Sequence, residues 1–124
     1  MDIVNCDNAP PFTTKDGSTI REILAHRNSC IRNQSLAEAT LPPHTRTQAH
    51  YHPLTEEIYY VLRGEGLMAI EQEKAIIRPG DGVAIPPGVK HQILNIGKED
   101  LVFLCTCAPA YEHSDTLFCE DLLD

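Results

Sequence analysis

The chain has 124 residues, and its 10 basic and 18 acidic side chains give a formal net charge of −8 at pH 7. This length is typical of one domain, and a hydrophobic content of 42% is enough for a packed core. The acidic excess lies in residues 51–124, which hold 5 basic and 13 acidic residues. The sequence has no cluster of Lys and Arg residues that would form a basic surface, so we expect no binding to nucleic acid or to an anionic membrane surface.

Targeting and cysteine signals favour a cytoplasmic protein. The sequence contains no apolar run long enough to cross a membrane, and its first residues lack the charged and apolar regions of a secretory signal. Five cysteines without a CxxC pair favour neither a disulfide framework nor a thiolate zinc site.

Short apolar segments alternate with glycine- and proline-rich turns along most of the chain. The predicted strands, in order, are Ile20–Leu24, Ser35–Leu41, Ala49–His52, Ile58–Arg63, Leu67–Ile70, Ala75–Arg78, Val83–Ile85, His91–Ile96 and Leu101–Cys107. Many short strands at hairpin spacing are typical of an all-β sandwich or barrel. No segment keeps the apolar periodicity of a core helix.

The two ends differ in composition from the strand-rich part, residues 19–110. Residues 1–18 are rich in Asn, Asp, Pro and Thr and predict an N-terminal arm or an irregular first strand. Residues 111–124 form an acidic tail that we expect to pack on or near the barrel, with a short helical turn within Ser114–Asp124. The acidic side chains of the tail, Glu120, Asp121 and Asp124, are expected to face solvent.

Histidines and a carboxylate cluster around the third predicted strand. His50 and His52 are two residues apart, so on a strand both imidazoles point to one face. A turn at residues 53–55 brings Glu57 to the start of the next strand, and His91 begins a later one. Three imidazoles and one carboxylate suit a divalent metal such as Mn, Fe, Co, Ni or Zn.

Residues 35–108 resemble the cupin superfamily in two motifs. The first motif, G(x)5HxH(x)3–4E(x)6G, is matched by His50, His52, Glu57 and Gly64. The second, G(x)5PxG(x)2H(x)3N, is matched by Gly80, Pro86, Gly88, His91 and Asn95. One position departs from the pattern, because His44 stands where the first motif begins with glycine.

The resemblance implies a double-stranded β-helix, or jelly roll, of two antiparallel sheets. It also implies one divalent metal ion held by His50, His52, Glu57 and His91. Glu56 is the rival carboxylate, and the spacing to Gly64 favours Glu57. Asn95 is expected to brace a turn.

Several further side chains are candidates for the surroundings of the metal. Tyr59 shares a strand face with Glu57, so its hydroxyl is a candidate catalytic acid or base or, alternatively, a core group. Tyr60 should face the opposite way. Cys105 and Cys107 share a face of the last strand and are expected to be buried and inert or, alternatively, to line the pocket as soft groups. His44 is expected at the surface or at the barrel mouth.

The leading functional hypothesis is a metal-dependent enzyme acting on a small polar molecule. The resemblance implies a dioxygenase or a sugar isomerase or epimerase, with a lyase as a further option. The alternative is a non-catalytic metal-containing module that binds a small molecule. Cupins commonly pair through their sheets, so a homodimer is expected, with the N-terminal arm adding a strand to the partner.

Overall fold

The computed structural model describes residues 1–123, which form two antiparallel sheets. Single turns of 3-10 helix lie at Cys6–Asn8 and His113–Asp115. The strands are β1 (Phe12–Thr13), β2 (Thr19–Leu24), β3 (Ser35–Leu41), β4 (His50–Tyr51), β5 (Glu56–Arg63), β6 (Gly66–Ile70), β7 (Glu73–Ile77), β8 (Gly82–Ile85), β9 (His91–Asn95), β10 (Leu101–Ala108) and β11 (Leu117–Phe118). No helix within residues 1–123 is long and apolar enough to cross a membrane.

The two sheets have six and five strands. The strand order is β1-β2-β3-β10-β5-β8 in the first sheet and β11-β4-β9-β6-β7 in the second. Every pairing is antiparallel, and from β3 onward most consecutive strands lie in opposite sheets, so that strands distant in sequence become neighbours within a sheet. The predicted all-β jelly roll is therefore confirmed.

Side-chain alternation on β5 explains how the core forms between the sheets. Glu57, Tyr59 and Val61 are buried, whereas the intervening Ile58, Tyr60 and Leu62 are exposed. Of these inward side chains, Tyr59 and Val61 pack in one cluster with Phe103 of β10 and with apolar residues of the facing sheet. Burying one face of each sheet fixes the strand register, because a one-residue slip would turn the core residues outward.

All nine predicted strands are present, and most of them have shifted ends. Ser35–Leu41 has the predicted bounds. β5 begins two residues earlier than predicted, because Glu56 and Glu57 pair with Ala108 and Cys107 of β10. The two-residue strand β1 lies within residues 1–18, where an arm or an irregular first strand was expected, whereas β11 was not predicted, since it has no apolar run of its own.

A left-handed backbone explains the departure from the first cupin motif. His44 has a φ of 63°, in the region that glycine adopts most easily, and its side chain is exposed. Gly64 has a φ of 85°, and a Cβ there would lie 2.7 Å from the carbonyl oxygen of Asp100. A glycine is therefore required at 64, whereas position 44 tolerates histidine with some backbone strain.

Both ends of the chain pack on the barrel. Arg21 donates to the carbonyl oxygen of Ala9 at 2.6 Å, and Phe12 pairs with Ile20 in this chain's own sheet. The Oε1 atom of Gln92 accepts hydrogen bonds from the backbone amides of residues 122 and 123. The helical turn of the tail lies at His113–Asp115 and so begins one residue before the predicted segment.

One acidic side chain of the tail is not simply solvated. The Asp121 carboxylate accepts hydrogen bonds from Arg46 at 3.0 Å and from the Gln92 amide at 3.1 Å. Glu120 is exposed as expected, and Asp124 lies outside the described residues. The bond to Gln92 joins the tail to β9, the strand that carries His91.

Candidate metal centre

Strand pairing brings three histidines together inside the barrel. His50 of β4 lies directly opposite His91 of β9, and His52 follows two residues after His50. All three side chains are buried, with exposed fractions of 1–3%. One ring nitrogen from each lies within 4.8 Å of the others. The three predicted histidine ligands therefore form a group that is able to hold a metal ion.

Backbone carbonyls orient each ring. The Nδ1 atom of His50 lies 2.7 Å from the oxygen of Gln48, and that of His91 lies 3.0 Å from the oxygen of Val89. The Nδ1 atom of His52 lies 3.0 Å from the oxygen of Asp115. A carbonyl accepts only from a protonated nitrogen, so Nε2 is left as the lone-pair donor.

Glu57, the fourth predicted ligand, contacts two of the three histidines. Its Oε1 atom lies 3.4 Å from His52 Nε2 and 3.5 Å from His91 Nε2. Both Oε1 of Glu57 and Nε2 of His91 are buried without a hydrogen-bond partner. Buried polar atoms rarely stay unpaired, and a shared cation would satisfy both. Glu56 is exposed, so the rival carboxylate points away from the group.

The electrostatics of the metal-free group follow from burial and mutual contact. Burial, together with the neighbouring His91, lowers the pKa of His50 to about 4. Burial disfavours the charge on Glu57, but His52 and His91 outweigh it and lower the pKa of Glu57 to about 2. Burial likewise opposes protonation of His52, and Glu57 outweighs it, so the pKa of His52 is raised. Glu57 therefore remains a carboxylate, which is the form that binds a metal.

Two turns hold the ligand strands in place. The Asp115 carboxylate accepts hydrogen bonds from the amides of Leu54 and Thr55 at 3.1 and 3.0 Å. These bonds hold the turn between His52 and Glu57. The amide of Gly88 donates to the carbonyl of His52 at 2.8 Å, which ties the turn before β9 to the end of β4.

A cavity of about 530 Å³, including its mouth, opens beside the group. The part of this space that water-sized molecules can occupy is about 40 Å³, which is room for one or a few waters. Its lining combines metal-site residues, apolar side chains and polar groups of the N-terminal hairpin: Phe12, Thr14, Asp16, Ser18, Ile20, Glu22, Ser35, Ala37, Ala39, His50, His52, Glu57, Tyr59, Phe103, Cys105, Cys107 and Tyr111.

Tyr59 lines this cavity and is buried, as its place on β5 predicts. Its ring packs against Phe103, with centroids 4.6 Å apart, and lies 6.0 Å from the ring of His91. Burial, with Glu57 as a further cause, raises the pKa of Tyr59 well above its ordinary value. Tyr60 is 46% exposed on the opposite face, as expected.

The two cysteines of β10 are buried and line the cavity. The Cys107 thiol donates to Glu57 Oε2 at 3.3 Å, and burial raises the pKa of both Cys105 and Cys107. The thiol form is therefore kept, in agreement with the expected inert role. Asn95 braces a turn as expected, because its amide donates to the carbonyls of Leu41 and Glu99.

Sequence reasoning overlooked Asp16. This residue lies in the turn of the β1–β2 hairpin, and its Oδ2 atom reaches within 3.7 Å of His50 Nε2. The available signal was the Asp16-Gly17 pair between two short Thr-containing segments, which is typical of a tight hairpin. Tyr111 was overlooked as well, and its ring lies 5.9 Å from that of His52.

Comparison with known proteins identifies the family. Residues 37–107 match the Cupin domain family, and this range contains all four predicted ligands. The chain is a cupin.

Relatives of this cupin span several named activities. An uncharacterized protein of Methanocaldococcus jannaschii is 46% identical over 110 residues, covering 89% of this chain and 88% of that protein. The polyketide synthase CurC of Streptomyces cyaneus is 31% identical over 107 residues, covering 82% of this chain and 70% of that protein. The structure of a predicted oxalate decarboxylase from Thermotoga maritima has a TM-score of 0.77 and 25% identity, covering 87% of this chain and 99% of that one.

Proposed function

We propose that this cupin is a metal-dependent enzyme that acts on a small polar molecule bound in the cavity beside the three histidines. The observation that carries the proposal is the pair of buried, unsatisfied atoms, Glu57 Oε1 and His91 Nε2. His50, His52, Glu57 and His91 would hold one divalent ion of Mn, Fe, Co, Ni or Zn. Four protein ligands leave open positions in a five- or six-coordinate metal.

The residues around the ion would have separate roles in holding it, in proton transfer and in excluding water. A bound divalent metal supplies Lewis-acid or redox chemistry. The three backbone carbonyls keep the imidazoles in the tautomer that ligates, and the Cys107 thiol orients Glu57 through Oε2. The Tyr59 hydroxyl would hold or move a proton at the bound molecule. The apolar wall, which includes Phe103, would exclude water from the reacting end.

The reaction class is proposed as a dioxygenase or a sugar isomerase or epimerase, with a lyase as a further option. The variety among relatives supports keeping these classes together, because cupin folds carry many chemistries. A second candidate is a non-catalytic module that binds a small molecule through the metal. The open cavity beside Tyr59 favours chemistry over a purely structural metal, which would have a closed shell.

Elemental analysis of protein purified from its own host tests the proposal. We expect about one divalent ion per chain. Metabolite screening with that metal, under air and under nitrogen, then separates the classes: consumption of a metabolite only under air indicates a dioxygenase, and conversion in both indicates an isomerase or a lyase. Native protein without a bound divalent metal would contradict the proposal. Binding without conversion would favour the non-catalytic module.

We also propose a homodimer located in the cytoplasm. Ile58, Tyr60 and Leu62 form an exposed apolar row on β5, with exposed fractions of 52%, 46% and 38%, and a second copy would cover it. The five free cysteines are compatible with a reducing compartment.

A further inference from the structure

The carboxylate of Asp16 lies at the cavity, and its two oxygens have different surroundings. Oδ1 accepts hydrogen bonds from the Thr14 hydroxyl at 2.6 Å and from the Ser18 amide and hydroxyl at 2.9 and 2.6 Å. Oδ2 is the oxygen on the side of the metal group, 3.7 Å from His50 Nε2. The carboxylate side chain is only 14% exposed. The hairpin therefore holds one oxygen rigidly and presents the other to the cavity.

The cavity has one carboxylate, Asp16, that is engaged neither by an arginine nor by the proposed metal, because Glu22 is paired with Arg27 and Glu57 is assigned to the metal. Its lining contains three carboxylates, Asp16, Glu22 and Glu57, and within residues 1–123 the lining includes neither Lys nor Arg. A neighbouring groove, which shares Phe12, Glu22 and Tyr111 with the cavity, is lined by Arg27. Arg27 donates to both oxygens of Glu22, at 2.9 and 2.8 Å, and to Glu112, so this cation is already engaged.

This distribution restricts the ligand. A phosphate or a second carboxylate on the bound molecule would need a cation or several N–H donors to replace its water. The cavity instead offers Asp16, the hydroxyls of Thr14 and Ser18, and an apolar wall of Ile20 and Phe103. A carboxylate oxygen accepts hydrogen bonds and repels anions.

We propose that Asp16 is a specificity-determining residue. It restricts the site to molecules that bind the metal through oxygen atoms at one end and are uncharged in the remaining part. That remaining part carries a hydroxyl or an N–H group that donates to Asp16 Oδ2. The inference deepens the proposed function and rests on its metal site. It excludes sugar phosphates and dicarboxylates as substrates, and it favours neutral polyols, phenols and their ketone relatives.

Two probes with the same metal-binding end test the inference. Acetohydroxamic acid is the uncharged probe, and malonomonohydroxamic acid adds one carboxylate to it. Each is titrated into the Co²⁺-loaded protein, and the change in the cobalt absorption bands gives the affinity. We expect the carboxylated probe to bind the unmodified protein at least about 10-fold more weakly, because its carboxylate would lie within several ångströms of Asp16.

Three variants show whether the difference in affinity depends on the charge of Asp16. Asp16→Asn keeps an oxygen for Thr14 and Ser18 but removes the charge, and it should reduce the gap between the probes to about 3-fold or less. Asp100→Asn makes the same charge change in the exposed turn before β10 and should keep the original gap. Asp16→Glu, which retains the charge, should retain a gap as well.

The outcomes separate this inference from the proposed function. Equal affinity of the unmodified protein for the two probes would overturn the inference without any variant, so a misfolded Asp16→Asn does not prevent the test. A gap that persists in folded Asp16→Asn would overturn the role of Asp16. Failure of Co²⁺ to bind in the first place would overturn the metal site and the inference with it.

Discussion

The Oε1 atom of Glu57 lies 3.5 Å from the Nε2 atom of His91, and neither atom has a hydrogen-bond partner. The two groups come from different sheets, since Glu57 is on β5 and His91 on β9. Leaving both polar atoms buried and unpaired costs free energy in the metal-free protein. An ion between them would recover that cost, so metal binding should also stabilise the fold.

Replacement of a metal ligand should abolish the stabilisation of the fold by the metal. In His91→Ala we expect the affinity for a divalent metal to fall by at least about 100-fold, because one nitrogen of the set is lost. Competition with a coloured chelator measures the affinity. His44→Ala removes an exposed imidazole outside the group and should bind the metal normally. Full metal affinity in His91→Ala would contradict the ligand assignment.

The hydroxyl of Tyr59 is the group to test for proton transfer. In the metal-free protein, burial raises the pKa of Tyr59, so the hydroxyl is a donor rather than a base. A nearby cation acts in the opposite direction. In Tyr59→Phe we expect metal content to be retained and turnover to fall by about 100-fold. Tyr60→Phe, on the outer face, should leave turnover unchanged. Normal turnover in Tyr59→Phe would leave this residue a packing role only.

Acid should destabilise the metal-free protein through His50. Its pKa is lowered from 6.5 to about 4, so between these values the unfolded chain binds a proton that the folded chain does not. The free energy of unfolding should therefore fall as the pH drops through this window, by as much as about 3 kcal/mol. The raised pKa of His52 does not change the free energy of unfolding further in this pH window. Below the pKa of the unfolded chain, His52 is protonated in both states, so its stabilising contribution is constant.

Urea denaturation of the metal-free protein across this range measures the effect. The stabilisation from Glu57, with a pKa lowered to about 2, is lost only at lower pH, below its ordinary value of 4.5. In His50→Gln, the free energy of unfolding should depend little on pH above about 4.5. His26 is an exposed histidine, so His26→Gln should keep the pH dependence of the unmodified protein. A flat profile in the unmodified protein would show that His50 is protonated inside the fold.

Glycine at position 44 should stabilise the barrel. His44 holds a φ of 63°, which costs an L-residue roughly 1–2 kcal/mol, and glycine avoids this cost at a smaller loss of chain entropy. We expect His44→Gly to raise the free energy of unfolding by about 0.5–1 kcal/mol. Lys98→Gly, in an exposed turn without a positive φ, should lower it. A loss of stability in His44→Gly would mean that the imidazole makes a stabilising contact.

The proposed dimer is tested by mass in solution. Light scattering at micromolar concentration should give about twice the 13.8 kDa of one chain. Tyr60→Lys places a charge in the exposed row of β5 and should shift the protein toward monomer. Ile76→Lys makes a similar change on β7, where Ile76 is 47% exposed, and should leave the dimer intact. A monomer mass for the unmodified protein would contradict the dimer.

Local pattern predicted most of the fold and the histidine group. Alternation on β5 was enough to place Glu57 and Tyr59 inside and Tyr60 outside. The spacing of His50 and His52 was enough to place two imidazoles on one face. Both follow from the two-residue period of a strand, which depends only on neighbouring residues.

Contacts between distant segments were not predictable in the same way. Asp16 approaches His50 because a hairpin near the N-terminus folds over the barrel mouth, and Asp115 reaches His52 across 63 positions of sequence. The segments that carry them are polar and short, so no apolar period marks them. Their placement depends on tertiary packing, which a single sequence does not display.

The anchoring of the three imidazoles is unequal, and this has a consequence for control of the site. His50 and His91 are each held by a carbonyl two residues earlier on their own segment, whereas His52 is held by the carbonyl of Asp115 near the far end of the chain. The turn at His113–Asp115 therefore orients one ligand, His52, from a distant part of the sequence. A change in the position of this turn is therefore expected to alter metal retention through the orientation of His52, although the turn is 63 positions away in sequence.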